Sequence, residues 1–287
     1  MEVEQVVDYQ CLLGEGPLWH PVEKCLYWLD ILRGQVLVYD PSTSKHRIVY
    51  EGEPVGGMTL QADGSLLFLM SKGVIASWRK GKLATLTQIK DTYEQERRFN
   101  DAIADPAGRV YAGTMSLEDY TGGFYRIDTD GTAVKLLENV KISNGMAFSP
   151  DNKRLFFTET KALKIHVFNY EQATDSLTNQ RTFADISQEE GEGLPDGLTI
   201  DSQGYLWSAR FGGSAVVRYS PDGAEERRIP IPATNVASLT FAGDNLDDLY
   251  VTTAAGQEKP ADSSSGALFK LKPGVRGVAQ FVSRICL

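Results

Sequence analysis

Glu15, Asn100, Asn144 and Asp196 occupy one recurring place in the sequence, ten or eleven residues ahead of an apolar pair that opens a strand. Gly56 and Ser238 fill that place in two further copies. The four polar residues offer carboxylate and carboxamide groups, with no thiolate and no imidazole among them. Oxygen donors of this kind suit a hard divalent cation such as Ca²⁺, Mg²⁺ or Mn²⁺ better than a thiolate-type zinc site. Glu15, Asn144 and Asp196 are therefore candidate metal ligands. Asn and Asp also serve as turn formers, but that role leaves Glu15 unexplained. The three histidines, His20, His46 and His166, share no such register. With no Gly-x-Ser-x-Gly elbow in the chain either, a Ser-His-Asp hydrolase is disfavoured.

The elements that must position these side chains follow from the apolar pairs themselves. Leu26-Tyr27, Leu66-Leu67, Val110-Tyr111, Leu155-Phe156, Leu206-Trp207 and Leu249-Tyr250 recur at intervals of 40 to 51 residues. Most follow a polar turn, such as Asp105-Pro106-Ala107-Gly108 or Asp201-Ser202-Gln203-Gly204. A repeat of this length built from short strands and Gly/Asp turns predicts an all-β fold, a six-bladed β-propeller with four-stranded blades, in one domain over residues 1–287. Equivalent positions of a propeller lie at one end of its channel, so the polar residues are expected to converge there. Residues 3–8 are expected to pair with Ala267–Leu271 and Val278–Ile285, closing the ring and removing an open edge. Two longer insertions, Leu86–Arg98 and Phe183–Leu194, end on the same face. The polar stretch Lys90–Arg97 lacks an apolar stripe and reads as a loop, as does Gly256–Gly266.

The balance of 38 acidic against 29 basic residues, net −9, argues against a phosphate-backbone partner. It suits cations or neutral hydroxylated small molecules. The first residues show no basic and then apolar leader, and no apolar run approaches 18 residues. The expectation is a soluble cytoplasmic protein, off the membrane, monomeric or weakly dimeric. Cys11, Cys25 and Cys286 are odd in number and lack metal-like spacing, which predicts buried free thiols. A Cys11–Cys25 pairing stays open.

Several stretches together resemble the SMP-30/gluconolactonase/regucalcin family: Leu13-Gly14-Glu15-Gly16-Pro17-Leu18-Trp19, Arg98-Phe99-Asn100-Asp101, Ser143-Asn144-Gly145-Met146-Ala147-Phe148-Ser149-Pro150-Asp151 and Pro195-Asp196-Gly197-Leu198. The resemblance runs along almost the whole chain. It implies a six-bladed propeller that hydrolyses sugar lactones with one divalent metal held by Glu15, Asn144 and Asp196. It further implies substrate contacts from Arg98, Asn100 and Glu118, with Asn100 approaching the metal through water. The metal, Ca, Mn, Mg, Zn or Fe, stays open, because a three-ligand oxygen site accepts several ions. Asp196 is the candidate to take the proton from the attacking water. The sequence departs from the family at Arg210-Phe211-Gly212-Gly213 and Ala237-Ser238, which leaves the identity of the lactone open. Arg210 reads as exposed and idle, with an anion-binding role at the mouth as its alternative. Two rival functions remain: a calcium-binding regulatory protein without turnover, and an interaction scaffold.

Overall fold

The computed structural model describes residues 2–90, 92, 97–116, 118–119, 121–256 and 264–286. The arrangement is all-β and propeller-like. After β1 (Val3–Val7) come four antiparallel four-stranded sheets in chain order. The first holds β2 (Gly14–His20), β3 (Cys25–Asp30), β4 (Gln35–Asp40) and β5 (Lys45–Glu51). The second holds β6 (Val55–Leu60), β7 (Leu66–Met70), β8 (Val74–Arg79) and β9 (Lys82–Gln88). The third comprises β10 (Arg98–Ala104), β11 (Val110–Met115), β12 (Thr121–Ile127) and β13 (Ala133–Lys141). The fourth comprises β14 (Ser143–Phe148), β15 (Arg154–Glu159), β16 (Lys164–Glu171) and β17 (Ser176–Asp185).

The remaining strands are β18 (Leu194–Ile200), β19 (Leu206–Phe211), β20 (Ala215–Tyr219), β21 (Glu225–Pro230), β22 (Asn235–Ala242), β23 (Asp248–Ala254) and β24 (Leu268–Leu271). They join β1 in one larger sheet, in which β18 to β21 meet β22, β23, β24 and β1 through the single pair Phe211–Asn235.

Burial falls from the first two strands of a sheet to its last. Every residue of β3, β7 and β11 is buried, whereas β5 and β9 are largely exposed. The cause is face-to-face packing of consecutive sheets, which leaves no solvated side to an inner strand. Tyr27 and Leu29 meet Phe68 and Trp78; Tyr111 and Phe124 meet Phe148 and Phe157; Trp19 and Trp28 meet Tyr250 and Leu268. The inner strands also touch in cyclic order, β2 to β6, β10, β14, β18 and β22, and β22 back to β2.

Glycine permits that close approach. A Cβ on Gly197 would collide with Ser238 of the neighbouring inner strand, and one on Gly145 with Gly197 and Leu198. The turns at the far ends of the hairpins are held by Asp side chains: Asp201 Oδ1 accepts from Gln203 N and Tyr205 N, and its Oδ2 takes Arg218 and Trp207 Nε1.

Three expectations change. Of the anticipated C-terminal partners of β1, Leu268–Leu271 pairs with it, but Val278–Ile285 does not. Since β1 already occupies the edge of β24, the tail instead crosses the hairpin turns, through Gly277 N to Leu246 O, Ser283 N to Leu60 O and Arg284 N to Gly108 O. Cys286 is exposed rather than buried, while Cys11 and Cys25 are buried and free, with Trp28 Nε1 donating to Cys11 Sγ at 3.3 Å. Of the stretch 90–97, read as a loop, only residues 90, 92 and 97 are described, and Lys90 and Thr92 are helical. The stretch 256–266 lies mostly outside the described residues.

Candidate functional site

Each inner strand breaks register once, at the same height. The pairing of β2 with β3 shifts between Glu15 and Leu18; the corresponding shifts fall between Val55 and Gly57, Phe99 and Asp101, Ser143 and Met146, Pro195 and Leu198, and Val236 and Ser238. A bulge of this sort frees one residue from the ladder and re-aims its side chain. The freed position lies four residues before the partner of the hairpin's first apolar residue: Trp19 opposite Leu26, Leu60 opposite Leu66, Ala104 opposite Val110, Phe148 opposite Leu155, Ile200 opposite Leu206 and Phe241 opposite Leu249. Counting back gives Glu15, Gly56, Asn100, Asn144, Asp196 and Ala237; all but Glu15 are out of the ladder, whereas Glu15 still faces Leu29 and stands at the edge of a bulge that leaves out Gly16 and Pro17. Ser238, expected at the sixth place, is one residue beyond it, because the turn from Gly243 to Asp247 is longer than its counterparts.

Glu15, Asn100, Asn144 and Asp196 are all buried. Asn144 Nδ2 donates to Asp196 Oδ1 in a short hydrogen bond and to Thr160 Oγ1 at 3.2 Å. Arg98 Nη1 donates to Asn100 Oδ1 at 2.7 Å and to Phe99 O, while Asn100 Nδ2 donates to Ser143 O at 2.8 Å. Arg98 also acts electrostatically on both Glu15 and Asp196, so the predicted ligands and the predicted substrate contacts form one cluster. Glu118 stands apart. It is exposed in a turn, its backbone N–H bonded to Ser116 Oγ, and among the described residues no hydrogen bond or ion pair ties its side chain to the cluster.

Asp101, not singled out from the sequence, belongs to the site as well. Its Oδ1 accepts from Ala102 N at 2.7 Å, and burial pushes its carboxyl up to about 7. Burial also lifts Glu15 well above the usual carboxylate range, helped by the charges of Asp196 and Asp101; Asp196 is raised likewise by burial and by Asp101. Arg98, withdrawn from bulk water, falls to about 10. Three carboxyl groups thus share one guanidinium in a poorly hydrated place, and each resists ionisation for want of positive charge.

A divalent cation is what that imbalance fits. Glu15, Asn144 and Asp196 provide oxygen only, and carboxylates that are hard to ionise alone ionise readily against a cation. Among the described residues no group of three or more His, Cys, Asp and Glu is placed to hold a metal; the candidate set differs in drawing one ligand from an asparagine. The cavity beneath the site, about 50 Å³, is lined by Gly16, Asp101, Ser238 and, at its floor, Gln280 and Phe281 of the C-terminal tail. It admits roughly three or four waters.

The charge pattern sets a pH dependence. Because the three carboxyl groups hold their protons more tightly in the folded protein than in the unfolded chain, each contributes stability that is complete below about pH 4 and is lost as pH rises through its folded value, which for Asp101 is about 7. A bound cation competes with those protons. The gain in melting temperature from saturating Ca²⁺ over EDTA-treated protein is therefore expected to widen steadily from pH 5 to pH 8 in scanning fluorimetry. An equal gain at both ends would contradict the assignment.

Arg210 is buried, not exposed and idle as expected. Its Nη2 donates to Tyr219 Oη in a short hydrogen bond, its guanidinium lies 5.5 Å from the centre of that ring, and Nε has no partner among the described residues. Among the described residues no hydrogen bond or ion pair links its side chain to the carboxylate cluster.

Residues 13–255 match the model of the SMP-30/gluconolactonase/LRE-like region. The chain belongs to that family. It is 42% identical to the pentonolactonase XacC of Haloferax volcanii over the whole of both chains, and 32% identical to regucalcin of Xenopus laevis over 97% of each. Among solved structures it superposes with a TM-score of 0.88 on a calcium-binding protein, regucalcin, of Agrobacterium tumefaciens, at 25% identity over 98% of this chain and 96% of the other. The similarity to that solved structure agrees with the propeller-like arrangement. No helix among the described residues is long and apolar enough to cross a membrane.

Proposed function

We propose that this protein is a lactonase that opens the ester of sugar lactones with the help of one divalent cation. The observation that carries the reading is the gathering, at or beside the bulges of the inner strands β2, β14 and β18, of Glu15, Asn144 and Asp196 beside the Arg98–Asn100 pair. The kinship with a pentonolactonase supports the substrate class. The same reading takes the large sheet as two blades joined by one bridge, giving six blades in a single domain over residues 1–287, with β1 on β24 closing the ring. It also takes the protein as cytoplasmic and monomeric or weakly dimeric.

Glu15, Asn144 and Asp196 would hold the cation, which when bound draws negative charge onto the lactone carbonyl oxygen. Arg98 presents a planar fork of donors, anchored at Nη1 by Asn100 Oδ1, and so orients the lactone. Asn100 is itself fixed through Ser143 O. Asp196 accepts a proton from the water that attacks the carbonyl carbon. The bond from that carbon to the ring oxygen then breaks, the ring oxygen takes a proton and becomes a hydroxyl, and an aldonic acid leaves. Glu118, exposed on its turn, is available to sugar hydroxyls beyond the reacting carbonyl.

The test is acid release, followed in a pH-stat, from γ- and δ-aldonolactones of five and six carbons with Ca²⁺ or Mn²⁺ present. Turnover well above spontaneous opening is expected for at least one lactone. The relatives described as regucalcin favour a second reading, a calcium-binding protein without turnover. Tight cation uptake with no acid release from any lactone would select it.

A further inference from the structure

An asparagine can serve a cation only through its carbonyl oxygen, since its NH₂ group has hydrogens and no available lone pair. Asn144 must therefore turn Oδ1 towards the metal and Nδ2 away from it, and the amide alone has little to choose between the two orientations. The structure shows what chooses. One Nδ2 hydrogen goes to Asp196 Oδ1 and the other to Thr160 Oγ1 at 3.2 Å, while on the opposite side Gly145 N donates to Oδ1 at 3.2 Å; of these partners Thr160 is the side chain that is not itself a candidate ligand. Resting on the metal reading above, we propose that Thr160 is a positioning residue that fixes the amide of Asn144 for cation binding.

Thr160 is built for a fixed contact. It opens the short 3₁₀ turn Thr160–Ala162, which follows β15 and packs against β18, the strand that carries Asp196. The turn is tied down on both sides of the hydroxyl: Thr160 N donates to Ile142 O, and Leu163, in the left-handed region, returns its N–H to Thr160 O. The preceding Glu159 spends both carboxylate oxygens, one on Lys141 N at 2.9 Å and the other on His166 Nε2 at 3.1 Å. Thr160 is itself buried, so water does not substitute for its hydroxyl. The same backbone pattern recurs at Ile31 after β3 (N to Leu13 O, O from Gly34 N) and at Ser71 after β7 (N to Pro54 O, O from Val74 N), but the corresponding inner-strand residues there are Glu15 and Gly56; among the described residues the other carboxamide at such a position is Asn100, held instead by Arg98 and Ser143 O.

Partners in this position, one step behind a metal ligand, typically govern affinity by about 10- to 100-fold. Isothermal titration of EDTA-treated protein with Ca²⁺ and with Mn²⁺ tests the assignment. Thr160→Val, equal in shape but without the hydroxyl, is expected to bind at least tenfold more weakly, and Thr160→Ala to do the same should the valine variant fold poorly. Thr160→Ser is expected to stay within about threefold of the wild type. The metal-free melting temperatures of the soluble variants should stay close together, separating lost positioning from lost fold. Wild-type affinity in both Thr160→Val and Thr160→Ala overturns the proposal, as does a Thr160→Ser variant as weak as the valine. If the wild-type protein takes up neither cation, the metal reading falls and this inference with it, an outcome distinct from a wild type that binds and variants that bind equally well.

Discussion

Asp196→Asn is expected to lower kcat/KM for sugar lactones by roughly 10³-fold or more, the span over which a well-placed general base acts being about 10²–10⁴. The substitution keeps the shape of the side chain and removes both the proton acceptor and one negative charge of the cation site. Its effect on stability should run the other way. In the metal-free protein Asp196 is ionised only against the burial of its own carboxyl and the charge of Asp101, so the amide relieves a repulsion. The metal-free variant should melt at or above the wild-type temperature. Steady-state kinetics with a melting curve on the same preparation reads both quantities. A variant that kept a tenth or more of wild-type turnover would remove Asp196 from the proton-transfer role.

Arg98→Ala is expected to cost about 10² in kcat/KM, the scale on which misplacing a bound substrate slows a reaction. Arg98→Lys should recover little of it, because an ammonium cannot reproduce the planar fork that Asn100 Oδ1 and Phe99 O hold at one nitrogen. The same variant makes a second, electrostatic statement. Arg98 is the cation acting on both Glu15 and Asp196, and its loss should shift the pH dependence of Ca²⁺ binding upwards, since both carboxyls then ionise with more difficulty. Full activity in Arg98→Lys would show that charge alone suffices and that the fork orients nothing.

How far these residues could be read from the sequence depended on what the repeat controls. Strand alternation and Asp/Gly turns recur because each sheet must bury two faces and turn sharply. The strands and their register were therefore legible, and with them the shared place of Glu15, which borders its bulge, and of Asn100, Asn144 and Asp196, which the bulges free from the ladder. Counting from the hairpin failed once, at Ser238, where a longer turn moved the freed position to Ala237. Asp101 left a signal that went unread. At the position just after the freed residue the chain has Gly16, Gly57, Gly145, Gly197 and Ser238, small because neighbouring strands crowd there, and a carboxylate is the exception.

Other features lie outside the repeat. The tail over 278–285 is rich in strand-forming residues, but β1 occupies the edge of β24, and the tail's hydrogen bonds go to the turns instead. Arg210 read as a surface residue because charge usually means exposure; packed on Tyr219, it is buried. Thr160 lies on the one 3₁₀ turn among the described residues, outside the repeat, and only the three-dimensional contact with Asn144 discloses it.

If three buried oxygen ligands and one cation make this site work, hydrolysis of γ- and δ-aldonolactones by EDTA-treated protein, re-supplied separately with Ca²⁺, Mg²⁺, Mn²⁺, Zn²⁺ and Fe²⁺, should depend on the added ion. Turnover should fall to the spontaneous rate on chelation and return with at least one of the five ions, whose order would also rank them. Undiminished hydrolysis by the chelated protein, with metal content verified as negligible, would contradict that dependence.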